Sequence, residues 1–128
     1  MADPVAALVA YLNANMDVDV YGATFQGNPP GGLVRSAGGG QLAQGYMPTA
    51  DARLDVRWYH DTDWQAWELD RQASRLLHHL RDETTVHGVI RWCRIAGGPT
   101  QLRDSQTGWP MVLTTWQVYG DFLARIDP

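Results

Sequence analysis

Lysine is missing from this chain. All ten basic residues are arginine, and twelve of the fourteen acidic residues are aspartate. Two readings stay open: a GC-rich coding source, or selection of arginine for planar, bidentate contacts at subunit interfaces. Without lysine, the glycine run Gly38–Gly40 cannot serve as a phosphate loop, which needs a lysine and a hydroxyl after its glycines. One cysteine, Cys93, excludes an intramolecular disulfide and any multi-cysteine zinc site. Its apolar surroundings read as those of a small buried hydrophobe. Only Ser36, Ser74 and Ser105 could act as serine nucleophiles, and none stands in a Gly-x-Ser-x-Gly elbow. No run approaches the roughly 20 apolar residues that span a bilayer, and Asp3-Pro4 is no basic leader. A soluble protein made inside the cell, without membrane contact, is expected. A net charge of −4 with no basic run speaks against general nucleic-acid binding.

What is present fits one domain. A chain of 128 residues, 45% apolar and 19% charged, can bury roughly two-thirds of its unfolded surface around a single core. The most informative stretch is Asp104–Tyr119. Asp104, Thr107 and Gly108 are turn formers, and Pro110 can only open a strand because it has no N–H to donate to a ladder. From Val112 the chain alternates, with Val112, Thr114, Trp116 and Val118 on one face and Leu113, Thr115, Gln117 and Tyr119 on the other. A strand with apolar or aromatic groups on both faces needs cover on both sides, from its own fold or from a neighbouring subunit.

The remaining elements follow from periodicity. Asp3 suits an N-cap and Pro4 a first helical position, after which Val5, Leu8, Val9 and Leu12 form one stripe that ends near Asn13 and Asn15. A strand from Val18 to about Phe25 and another over 33–37, joined by a Gly/Pro turn, suggest a hairpin. A long glycine-rich loop then runs to about Pro48. Arg53–Tyr59 alternates strictly: Leu54, Val56 and Trp58 point one way, Arg53, Asp55, Arg57 and Tyr59 the other. Asp61 or Thr62 caps a second helix, with Gln65 as capping-box partner and Ala66, Leu69, Ala73, Leu76, Leu77 and Leu80 as its buried stripe. Val89–Ala96 is the next strand, broken by Gly97-Gly98-Pro99, and Pro110 to about Phe122 is the last. The expected fold is α+β: a single domain with two helices packed on one face of a mostly antiparallel or mixed sheet.

No catalytic constellation emerges. His60-Asp61-Thr62-Asp63 is explained by the capping that a helix start needs. His78 and His79 are adjacent and point about 100° apart on a helix, so they cannot share a metal. His87 falls in a loop without a companion, and nothing places Asp55 beside Asp104 as a carboxylate pair. Neither a metal nor a cofactor is implied, and the chain does not read as an enzyme. Of six tryptophans, Trp58, Trp92 and Trp116 lie in strands and read as core. Trp109 and one of Trp64 or Trp67 read as partner contacts, because exposed tryptophan usually marks one.

Taken in order, the capped first helix, Leu54-Asp-Val-Arg-Trp-Tyr59, the Thr62–Leu80 helix with Trp67-Glu-Leu69, and Gly98-Pro99…Leu102-x-Asp104…Thr107-Gly-Trp-Pro110 with the final strand resemble the tail terminator (tail completion) proteins of long-tailed bacteriophages. The resemblance covers nearly the whole chain, and the Thr-Gly-Trp-Pro run carries most of its specificity. Head-tail connector and head-closure proteins of similar size and fold are the nearest alternative. A small ligand-binding α+β domain and a regulatory adaptor are more distant ones.

The resemblance implies a homo-oligomeric ring, typically of six subunits, at the head-proximal end of the virion tail and assembled in the host cytoplasm. Such a ring ends polymerisation of the tail tube protein and docks the head through its connector protein. DNA passes through it without sequence-specific binding, and an acidic lumen would let the duplex slide. A ring needs two dissimilar surfaces. The Arg53, Asp55, Arg57, Tyr59 face is the candidate for one, with Trp64, Asp104 and Trp109 as further contacts to subunit, tube or head. The segments 37–48 and 97–109 are candidates for ordering against neighbouring rings.

Overall fold

A computed structural model describes residues 4–22, 24–25, 27–37 and 50–121. Pro4 opens helix α1 (Pro4–Asn15), where its missing N–H is one of the groups a helix start leaves unpaired anyway. Ala7, Leu8 and Leu12 are buried, with Val5, Val9 and Tyr11 packed beside them. The proposed cap Asp3 lies outside the described residues. Past the helix end, the Asn13 side-chain amide donates to the Val20 carbonyl and accepts from the Val20 N–H, both at 2.8 Å. One side chain thus satisfies both backbone groups of the first strand's central residue.

Strands β1 (Asp19–Gly22) and β2 (Gly31–Ser36) do not form the expected hairpin. They run parallel, with Asp19 opposite Gly31 and Gly22 opposite Val34. The reason is length. A four-residue strand spans only about 13 Å, and the 23–30 connection can reach back roughly twice that distance. A parallel return therefore needs no helical crossover here. β3 (Ala50–Tyr59) follows, then α2 (Asp63–His79), β4 (Glu83–Thr85), β5 (Gly88–Arg103) and β6 (Pro110–Asp121).

The six strands order as β1-β2-β3-β6-β5-β4, antiparallel everywhere except β1–β2. Both helices pack on one face, so the fold is α+β and the sheet curls into a half-barrel. The alternation in β3 and β6 sorts as its pattern requires: Leu54, Val56 and Trp58 face the helices opposite Trp116, Thr114 and Val112. α2 supplies Ala66, Leu69, Ala73 and Leu77, with Leu80 following the helix. Thr62 is its N-cap as expected, but Gln65 answers through the Thr62 hydroxyl and not, as a capping box would, through the Thr62 N–H. The Thr62 hydroxyl accepts from the Gln65 N–H at 3.4 Å and donates to Gln65 Oε1 at 2.8 Å. At the other end the Arg81 guanidinium donates to the carbonyls of His78 and Leu80, at 3.2 and 2.6 Å.

Two further expectations are corrected. Gly97-Gly98-Pro99 does not end the fifth strand. The ladder absorbs these residues as register shifts and continues to Arg103, so only residues 104–109 of the proposed 97–109 loop connect strands. Gly98 is suited to this: its φ is +82°, and a Cβ there would sit 2.7 Å from the Leu113 carbonyl oxygen. β4 was not anticipated, because Glu-Thr-Thr carries no apolar period; pairing with Gly88–Ile90 alone makes it a strand. The glycine-rich segment 38–48 lies outside the described residues.

Candidate functional site

The outer face of the sheet, away from the helices, carries the alternating charged set. In register, Arg53 lies opposite Gln117, Asp55 opposite Thr115 and Arg57 opposite Leu113, while Arg35 of β2 lies opposite Asp55. One oxygen of each of the aspartates flanking Arg53 is engaged, while Asp51 Oδ1 is buried without a hydrogen-bond partner among the described residues. Asp55 accepts from the Thr115 hydroxyl at 2.7 Å and Asp51 from the Gln117 amide at 2.5 Å. The Gln117 carbonyl accepts twice from Arg94, whose guanidinium carbon lies 5.8 Å from the centre of the Trp92 ring. Trp92 stacks on Tyr119 at 5.3 Å, so it belongs to this face and not to the core, contrary to expectation. The Arg53 guanidinium is exposed and has neither ion pair nor hydrogen bond among the described residues.

At the other end, the same face is covered by the subunit itself. Phe25 folds over Tyr59 at 4.7 Å and Trp109 at 5.8 Å, with Leu33 and Met111 completing a second small core. Tyr59 is therefore buried, and its ring cannot form part of a contact face as proposed. Trp109 is half-buried in the same cluster and offers one side only. Asp104 is a turn former as expected: its carboxylate accepts from the Gln106 and Thr107 N–H groups at 2.8 and 3.0 Å. Those two bonds hold its pKa below the usual carboxylate value. Arg57, Tyr59 and Asp104 thus lie toward one end, while Arg53 and Asp55 lie further along β3.

On the helix side, the structure brings together residues that the sequence pattern left apart. Trp64, Trp67, Glu68, Asp70, Arg71 and Ser74 of α2 meet Ile95 and Pro99 of β5 around an open cleft of about 420 Å³. Trp64 is 67% exposed and Ile95 49%. Trp67 is fixed by donating its indole N–H to Gln101 Oε1 at 2.7 Å. Both Trp64 and Trp67 are exposed, in line with the expectation that at least one would be. Asp70 lies beneath them, 4% exposed, and burial pushes its pKa up against the opposing hydrogen bonds of Thr114 and Ser74. The signal for Asp70 was available: it sits four residues after Ala66 and three before Ala73, on the apolar stripe, where a carboxylate needs a partner. Pro99 was hidden because the strand was expected to stop at Ala96; Ile95 lay within the expected strand, but nothing in the sequence placed it beside α2.

The sheet edges are guarded. Asn13 occupies the outer edge of β1 at Val20. β5 beyond Arg91 has no outer neighbour among the described residues, but three register shifts, Pro99 and arginines at 94 and 103 interrupt it. Strand addition is disfavoured at Val20 of β1 and along β5 beyond Arg91, and the remaining edge strand, β4, offers only the three residues Glu83–Thr85.

Cys93 is buried, and burial pushes its thiol up to about 12. His78 and His79 are both exposed at the end of α2. Among the described residues no group of three or more His, Cys, Asp or Glu side chains is placed to hold a metal ion, and no described helix is long and apolar enough to cross a membrane. No model of a known protein family matches the chain, and no curated protein matches it.

Proposed function

We propose that this chain is a structural subunit of a phage tail. Copies join head to tail into a ring, typically of six, that sits on the end of the tail tube, stops its growth and presents a docking surface for the head. The observation that carries the reading is the exposed tryptophan pair beside Ile95 on the helix side, set against an arginine and aspartate face on the opposite side of the sheet. A head-to-tail ring needs two unlike surfaces on each subunit, and exposed tryptophan is the residue type that most often anchors one. The Thr107-Gly-Trp-Pro110 turn leading into β6 adds the resemblance to tail terminators. Electron microscopy of virions labelled with an antibody to the chain tests the reading. Label at the head–tail junction supports it; label absent from virions overturns it.

A ligand-binding α+β domain is the second reading, favoured by the cleft alone. Its volume falls within the range of small-molecule sites, and a buried carboxylate lies beneath aromatic walls. That reading requires saturable binding of a small molecule by the single subunit.

A further inference from the structure

The cleft between α2 and β5 presents apolar surface. Trp64, Trp67, Ile95 and Pro99 form its walls, Glu68 is paired with Arg71, and Asp70 beneath is buried and bonded to Thr114. A side chain that fills it must be apolar and must stand out from its own surface. Among the described residues, the exposed large apolar side chains outside the cleft are Val86 and Leu102. Leu102 is 40% exposed and lies within β5 on the outer sheet face, paired with Met111 of the second small core. Val86 is 93% exposed and stands at the tip of the hairpin that joins β4 to β5. Nothing local explains a valine there. Two-residue hairpin turns favour Gly, Asn and Asp, yet Val86-His87 fills this one. The tip is nevertheless held in shape: the Thr85 hydroxyl accepts from the His87 N–H at 3.1 Å and donates to the Gly88 carbonyl at 2.8 Å.

We infer that the cleft receives the Val86 hairpin tip of a second copy of this chain, so that each ring contact seats the β4–β5 turn of one subunit against Trp64, Trp67 and Ile95 of the next. The inference rests on the ring reading and deepens it by naming the contact. A subunit cannot fill its own cleft, because Ile95 lies seven residues along β5 from Gly88, roughly 20 Å from the tip. Tip and cleft are therefore separate surfaces, the contact is heterologous, and a succession of contacts can close. Charge agrees with the pairing. Glu83, exposed three residues before Val86, has counterparts in Arg71 and Arg75, exposed on successive turns of α2 at the cleft. The cleft's volume of about 420 Å³ leaves room for Val86 together with part of its turn. Valine against two indoles then forms an apolar centre inside a polar rim, the usual anatomy of a protein contact.

Because the two halves of the contact reside on different surfaces, they can be spoiled separately. Val86→Asp puts a charge at the tip; Trp64→Ala removes a wall of the cleft. Both positions are exposed, and thermal melts establish that each variant remains folded. Sedimentation over rising concentration reads the outcome. The wild-type chain is expected to associate and each variant alone to remain monomeric. An equimolar mixture should form dimers and stop there, because the intact tip of the Trp64 variant meets the intact cleft of the Val86 variant. A variant that associates as the wild type does overturns the inference while leaving the ring reading standing. If Val86→Asp associates and Leu102→Ser does not, Val86 is not the occupant and the inference falls in the same way. Folded variants that are both monomeric but do not rescue each other also overturn it, since tip and cleft then do not meet. A wild-type chain that stays monomeric at every concentration overturns the contact and the ring together.

Discussion

Asp70 of α2 and Thr114 of β6 form the polar pair of an otherwise apolar helix–sheet interface: the Thr114 hydroxyl donates to Asp70 Oδ1 at 2.7 Å, and the residues are 4% and 0% exposed. Burial raises the Asp70 pKa, so the folded chain holds this proton to higher pH than the unfolded chain does. Its contribution to stability is therefore greatest below the ordinary carboxylate range and declines as pH rises through the raised folded value. Asp70→Asn keeps an acceptor for Thr114 and removes the charge. It should be at least as stable as the parent at neutral pH, with the gain shrinking on acidification. Asp70→Ala strands the Thr114 hydroxyl and should lose about 2 kcal/mol. Urea unfolding at a series of pH values checks both.

Gly32 faces Trp58 across the β2–β3 ladder, and a Cβ there would lie 2.5 Å from the indole ring. Trp58 is fully buried and cannot move aside without repacking Leu54 and Val56. Gly32→Ala should lower stability by about 2 kcal/mol, as overpacking of a filled core does. The readout is the unfolding midpoint, with an unchanged denaturant slope.

The Thr62 N-cap of α2 gives a smaller effect. Thr62→Ala removes the hydroxyl that accepts from the Gln65 N–H and should cost about 1 kcal/mol, whereas Thr62→Asp should cost much less. Thermal melts of the pair separate loss of the cap from general disturbance of the strand-to-helix turn.

Cys93 should be inert in the folded chain. Its thiol lies buried opposite Val118, with a pKa pushed up to about 12, so little thiolate exists near neutral pH. Labelling with a thiol reagent is expected to be slow in buffer and fast in denaturant. Fast labelling in buffer would mean that the α1–β5 packing opens readily.

Much of the fold was legible because local and tertiary signals agree. Thr62 with Gln65, and the alternations in Arg53–Tyr59 and Val112–Tyr119, name their own elements and their buried faces. The failures have a common physical source in long-range pairing. Gly97-Gly98-Pro99 reads as a stop because the sequence does not reveal that β6 lies alongside to accommodate bulges. Glu83–Thr85 is a strand only because Gly88–Ile90 turns back on it. Parallel pairing of β1 with β2 depends on how far the 23–30 connection reaches, which periodicity does not encode. The candidate surfaces divide in the same way. Arg53, Asp55 and Trp64 sit on accessible faces as their patterns required, while Tyr59 is buried by Phe25, a contact between residues 34 apart in sequence. The cleft itself needed β5 to continue past Ala96 to supply Pro99, and needed the packing of α2 beside Ile95.

The most direct measurement is the length distribution of tail tubes polymerised from tube protein with and without this chain, followed by electron microscopy of the tube ends. Capping predicts that added chain halts elongation and leaves a ring of extra density at one end of each tube. Tubes that grow to the same lengths in its presence, with bare ends, would contradict it.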